Sequence, residues 1–270
     1  MKTEVLLDEI KELIPHRDPF LFLDKLFNIE KLTSATGYKV FNPEEPFFRG
    51  HFPEKSVVPG VILVEMMAQT AAALIAYSIK AALKSNLIGR VIVSTDSEDY
   101  AKIAREFGAE VPFLRPAEIS GDAATDLEFF KDAINWFQDN EGEIPDYFVH
   151  LRPTTPFRDP KVIDAALEVF VGSDFSALRS AHKMSESSYK TFEIEDNKLK
   201  SLCLGSFDIE GSNVGRQAYP QTYDANGYVD IVRAKMVTQK GLIHGDRVKA
   251  YVTDVSHEVD EISDFDFLDI

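Results

Sequence analysis

The 270-residue chain holds 29 basic and 45 acidic side chains, a formal charge of −16, with 44% hydrophobic and 27% charged residues. Such a chain can bury a core and is not disordered as a whole, and its acidity excludes nucleic acid as a partner, because no basic stripe is present to displace counterions from phosphates. The single cysteine, Cys203, excludes an internal disulfide and fits a reducing, cytoplasmic setting, where a buried thiol is the expected state.

The opening MKTEVLLDEIKELI is charged and amphipathic, unlike a secretory leader, and predicts a short helix over 6–14. Strands are predicted at 20–29 and 36–41, then a loop over 42–60 punctuated by NPEEP, GHFP and VPG. From 61 to about 84 there is no Pro or Gly and much Ala, Leu and Met, which predicts one unbroken helix. Residues 61–79 are almost wholly apolar, but Glu65 near one end is costly in lipid. The expected state is a helix buried between protein layers, with no membrane.

Beyond that helix the rhythm changes. RVIVS (90–94) reads as a strand buried on both faces, 98–107 as an amphipathic helix ended by Gly108, and 110–114 as a short strand. A helix over 125–138, a strand over 147–151, a helix over 159–170 and a strand over 176–180 follow. Strands alternating with helices predict a parallel sheet covered on both faces. Charge divides the same way: residues 1–74 carry 8 basic and 11 acidic side chains, residues 75–270 carry 21 and 34. No linker separates the two styles, and the change falls inside the long helix.

In the first part the informative runs are PHRDPFLFLD (15–24) and GHFPEKSVVPGVILVEMMAQ (50–69). These runs resemble the 3-hydroxyacyl-acyl-carrier-protein dehydratases, which implies that a neutral His51 takes the proton beside a thioester carbonyl and that a protonated Glu65, fourteen residues on, gives one to the leaving hydroxyl. Backbone N–H groups near Gly60, at a helix start, suit the oxygen on which charge then builds. The resemblance implies a hot-dog fold, a site completed by two subunits and acyl carrier protein as partner. It stops near Leu74, before the later strands of that fold.

The second part carries HLRPTTPFRDP (150–160), RQAYPQTYDANGYVDI (216–231) and EVDEISDFDFLDI (258–270), besides the run from 74 to 116. It resembles the acylneuraminate cytidylyltransferases, in particular those that activate legionaminate-type nonulosonic acids. The resemblance implies transfer of CMP from CTP to a 2-keto sugar acid, with Mg²⁺ as cofactor and a homodimer as the working form. By position in the family's motifs it implies nucleotide contacts at Arg115, Thr125, Arg152 and Thr154, sugar contacts at Lys190, Arg216 and Asn226, and a metal ligand at Asp260. Ile262 stands where many members have a second Asp, and Arg152 where many have Gln. The family's opening strand and its Gly/Arg/Lys-rich triphosphate loop are replaced by the dehydratase-like residues, whose 48–60 stretch supplies only Arg49 and Lys55 as cations.

The expected fold is therefore α/β: a Rossmann-like nucleotidyltransferase sheet without its first strand (75–270), preceded by a partial α+β hot-dog segment (1–74). Three functions follow from the two resemblances: a CMP-sugar synthetase weakened by the missing loop, a hydroxyacyl dehydratase, or an inactive fusion.

Overall fold

The computed structural model describes residues 4–30, 34–51, 57–121, 123–153, 155 and 157–253. The chain opens with β1 (Val5–Leu6), α1 (Leu7–Leu13), β2 (Lys25–Glu30) and β3 (Ser34–Tyr38), and the three strands form an antiparallel sheet in the order β1-β2-β3. The strand predicted over 20–29 pairs only from Lys25. Before it the backbone is held by a side chain instead: the Phe22 N–H donates to Gln69 Oε1 and Gln69 Nε2 donates to the Phe20 carbonyl.

Gln69 belongs to α2 (Gly60–Leu83), which runs unbroken for 24 residues. Its composition is apolar nearly all round, so three faces can be buried at once. Ala72, Ala73 and Ala76 share a core with Val5, Ile10, Leu13, Leu23 and Leu26 of the first sheet and α1. Ile79, with Ile75 beside it, packs toward Val91 and Val93. Ala81 joins the core of the second sheet. The long helix thus serves both halves. Its first turns are different: Val61, Val64 and Met67 are 77%, 66% and 72% exposed. Among the described residues this is the one helix long and apolar enough to cross a membrane.

The second half follows as α3 (Glu98–Glu106), α4 (Asp126–Asn140), β4 (Tyr147–His150), α5 (Pro160–Phe170), β5 (Ala177–Lys183), β6 (Phe192–Glu195), β7 (Lys198–Ser201), β8 (Tyr223–Arg233), α6 (Ala234–Lys240) and β9 (Val248–Val252). Local chemistry sets the helix starts. The Ser97 hydroxyl accepts from the Tyr100 N–H, the Asp159 carboxylate accepts from the Lys161 N–H, and Glu128 accepts from both the N–H and the hydroxyl of Thr125. Gly241, at φ 64°, ends α6 in the left-handed region that glycine adopts without cost.

The sheet order is β4-β8-β5-β9. It is mixed rather than parallel: β8 runs antiparallel to both β4 and β5, and only β5 and β9 are parallel. The strands expected at 90–94 and 110–114 reduce to one parallel bridge, Ile92 with Glu110. Their sequence suits a buried strand, but among the described residues that pair joins no other strand, and a lone parallel pair has too few hydrogen bonds to hold a ladder. The hot-dog strands form their own sheet and do not extend this one. Cys203 is exposed, correcting the buried state expected for it: it lies just past β7 in a turn, where its thiol donates to the Ser188 carbonyl.

Candidate active site

Two groups of residues carry chemistry, one in each half. The larger lies where β4 ends. Arg152 leaves the strand and divides its guanidinium between two carboxylates: Nη1 donates to Asp230 Oδ2 at 2.9 Å and Nη2 to Asp126 Oδ2 at 2.6 Å. Asp230 is 1% exposed, on β8, cross-strand from His150. It also accepts from the Ser180 N–H and lies 3.9 Å from Arg179 Nε. Burial works against the Arg152 charge, but the hydrogen bonds and charges of Asp230 and Asp126 outweigh it and hold the guanidinium above its ordinary range.

Beneath Arg152 lies a second guanidinium. Arg158 is 7% exposed and has no carboxylate partner among the described residues. Its nitrogens donate to the carbonyls of Arg152, Gly227 and Tyr228 and to the Ser78 hydroxyl of α2. It therefore ties the loop after β4 to β8 and to the long helix. His150 packs edge-on to Phe129 and Phe130 at 5.1 and 5.4 Å. Burial first, and the Arg152 charge second, push its imidazole down to about 4, against the pull of Asp126 and Asp230. The ring is neutral at pH 7. Arg152, Arg158 and Arg179 against Asp126 and Asp230 leave one net positive charge, so the cluster suits an anion such as a phosphate or a carboxylate.

The other expected contacts are placed as follows. Arg115 Nε donates to Ser120 Oγ, and the guanidinium lies near Asp132, whose carboxyl burial pushes up against the Arg115 charge. Thr125 is the α4 cap, its hydroxyl on Glu128. Lys190 is exposed on a short turn of the β6–β7 arm, an arm closed by the stacked Tyr189 and Tyr219 rings. Arg216 opens another short turn of that arm. Asn226 is fully buried: its amide donates to Thr253 Oγ1 at 2.5 Å and accepts from the Tyr228 N–H, so it is used inside the fold. Thr154 and Asp260 lie outside the described residues.

The carboxylates that are described do not build a magnesium site. Asp126 and Asp230 are taken up by Arg152, and no group of three His, Cys, Asp or Glu suited to a metal occurs among the described residues. The expected ion rests on Asp260 alone.

In the first half, Glu65 Oε1 accepts from Gln69 Nε2 at 2.8 Å and lies 3.4 Å from His16 Nε2. His51 Nδ1 sits 2.9 Å from the Val57 carbonyl. The structure thus brings His16, rather than His51, beside the helix carboxylate. His16 lies in the PHRDPF run, but its pairing with Glu65 spans 49 positions and has no local signal. Asp126, His150, Arg158, Arg179 and Asp230 were not singled out either. His150 opens the HLRPTTPFRDP run, Arg158 lies within it and Asp230 ends NGYVD, so those runs held the signal for these three, whereas Asp126 and Arg179 lie outside every such run.

Comparison with known proteins follows this division. Residues 14–104 match the family described as FabA-like domain and residues 70–211 the family described as Cytidylyltransferase. The two matches overlap over 70–104, a stretch that includes the join expected at Leu74. The chain is 32% identical over 196 residues to the N-acylneuraminate cytidylyltransferase of Escherichia coli O18:K1:H7, covering 72% of this chain but 44% of that protein. It is 30% identical over 195 residues to the post-translational flagellin modification protein B of Campylobacter coli, covering 72% and 80%. It is 51% identical over 116 residues to the 3-hydroxyacyl-acyl-carrier-protein dehydratase FabZ of Clostridium botulinum, covering 43% and 68%. The chain spans less than half the length of the first of these relatives, and belongs to the cytidylyltransferase family with a FabZ-like dehydratase segment at its N-terminal side.

Proposed function

We propose that the chain binds CTP and a sialic-acid-like 2-keto sugar acid at the Arg152 cluster and transfers CMP between them slowly. The observation that carries this reading is the net-positive group of Arg152, Arg158 and Arg179 around Asp230, at the end of the strand where open α/β sheets receive ligands. An incoming phosphate or carboxylate takes Arg152 from Asp126, the more exposed of its two partners, while Asp230 keeps the guanidinium oriented. Slow turnover follows from the replaced loop. A lost donor to a charged transition state costs about 3–4 kcal/mol, so two lost donors slow the reaction roughly ten-thousandfold or more.

The test is pyrophosphate release from CTP with N-acetylneuraminate, in buffer containing Mg²⁺. The parent chain is compared with a version in which residues 1–73 are exchanged for a strand followed by an Ala-Arg-Gly-Gly-Ser-Lys loop. Turnover at least a thousandfold higher in the exchanged version is expected. Equal rates would overturn the loop argument. Failure of CTP to bind either version would overturn the cytidylyl reading. A second reading, removal of water from a 3-hydroxyacyl thioester on acyl carrier protein, is supported by Glu65 beside His16. Loss of crotonyl-thioester absorbance on hydration, abolished in Glu65→Gln, tests it.

A further inference from the structure

Among the described residues, two strand edges in the second half are unpaired although the same helices cover both. The segment around Ile92 and strand β4 both lie under α2: Val91 and Val93 pack with the Ile79 cluster, Tyr147 and Val149 with the Ala81 cluster. On the opposite face α4 reaches both. Its Phe137 ring lies 6.2 Å from Phe148 of β4 and carries the Arg90 guanidinium at 5.3 Å, and its Trp136 lies 5.6 Å from Phe113. Yet among the described residues no backbone hydrogen bond joins 90–95 to 147–150.

The hydrogen-bond pattern shows which way the first edge faces. The Val93 N–H donates to the Glu110 carbonyl and the Glu110 N–H to the Val91 carbonyl. In a parallel pair the intervening residue then turns its N–H and C=O to the other side, so Ile92 offers both away from Glu110. Among the described residues β4 pairs on one side only, with β8. Burial agrees: all four β4 side chains and Val91, Ile92, Val93 and Ser94 are only half-buried, whereas 226–233 of β8 are fully buried. A polar group of the first edge is also unsatisfied, since the buried Ser94 Oγ has no hydrogen-bond partner among the described residues.

We propose that this chain accepts one extended segment of a separate polypeptide between Ile92 and β4, completing the sheet in trans. The chemistry of the slot defines the segment. Its faces are apolar (Ile79 and Ala81 above, Phe137 and Trp136 below), so about five apolar, preferably β-branched residues fit. The residues next to it carry a basic side chain, because the half of the chain that surrounds the slot is strongly acidic, with 34 acidic against 21 basic side chains. Strand addition of this kind takes its affinity from main-chain hydrogen bonds and its specificity from the side-chain pockets. The proposal is independent of nucleotide chemistry.

The probe is a fluorescein-labelled peptide with the core Val-Ile-Val-Ile-Ala followed by Gly-Ser-Lys-Arg, titrated into the full chain and read by anisotropy and by amide hydrogen exchange. Saturable binding is expected, with exchange at Ile92 and within 147–150 slowed at least tenfold. Ile92→Pro removes the outward N–H without touching a bond to Glu110, and binding is expected to fall at least tenfold while the thermal midpoint stays within a few degrees. The Lys-Arg peptide is expected to bind several-fold more tightly than a Gly-Ser-Gly-Ser-ended one at low salt, a difference that shrinks as salt is added. Binding that survives Ile92→Pro, or no slowing at either edge, would overturn the proposal. So would protection of these amides that rises with protein concentration without peptide, which would make a second copy the occupant.

Discussion

His150 is held neutral by its surroundings, and that has a consequence for stability. In the unfolded chain a histidine titrates near 6.5, whereas in the fold this one is pushed down to about 4. Between those values the unfolded state binds more protons than the folded state. The contribution is therefore complete above about pH 6.5 and is lost as pH falls toward 4. His150→Gln is expected to cost little at pH 5 relative to the parent and to flatten the pH dependence between 6.5 and 4 by about 3 kcal/mol, measured by urea unfolding at successive pH values. Arg158 gives a second prediction at this scale. Arg158→Met leaves the Arg152, Gly227 and Tyr228 carbonyls and the Ser78 hydroxyl without their donor, and each unsatisfied buried group costs about 1–3 kcal/mol before relaxation. A loss of at least 3 kcal/mol in urea is expected, with Arg158→Lys recovering part of it. A loss below 1 kcal/mol would show that water replaces the guanidinium. The two residues also show the limit of a sequence at this scale. Arg152 is legible in its run, but its partners Asp126 and Asp230 lie 26 and 78 positions away, and only the sheet brings them together.

Helices were more legible than strands because their signals are local. Asp159-Pro160, Ser97 ahead of Glu98 and Asp99, and Thr125 with Glu128 each mark a helix start by a short-range hydrogen bond. Strands depend on a partner. RVIVS has the composition of a buried strand, but among the described residues it pairs at one residue and no strand joins its other edge. The antiparallel direction of β8 was not legible, since alternation of strands and helices speaks only to the elements it links. The long helix was legible throughout, and its contact with β3 is testable. A Cβ on Gly37 would meet Thr70 Oγ1 at 2.3 Å and Leu23 Cδ2 at 2.7 Å. Gly37→Ala must push α2 from the first sheet or displace both side chains, and overpacking of this kind costs about 1–3 kcal/mol. A fall in the thermal midpoint is expected, restored in part by Gly37→Ala combined with Thr70→Ala. No fall would show that the sheet and helix separate freely.

At the scale of the whole molecule the two halves share α2, and that helix is only partly covered. Ala72–Ala82 packs into three clusters, but Val61, Val64 and Met67 form a stripe at three-residue spacing that faces solvent, with Phe20 and Val40 57% and 61% exposed in the same half. Among the described residues β3 is the last strand of its sheet and pairs on one side only, with β2. Exposed apolar surface next to an unpaired strand favours association, and the same patch on each copy closes most simply as a twofold dimer. Light scattering at micromolar protein is expected to give about twice the 30.3 kDa chain mass, falling on dilution. Val64→Gln with Met67→Gln keeps the charge and the helix but removes about 2–4 kcal/mol of apolar contact per copy, enough to weaken the dimer at least tenfold. If the double variant associates as tightly as the parent, the contact lies elsewhere. The β6–β7 arm, with Ile194 76% exposed and Phe207 49%, is then the face to alter. A parent that stays at the monomer mass up to 100 micromolar would refute association through either face.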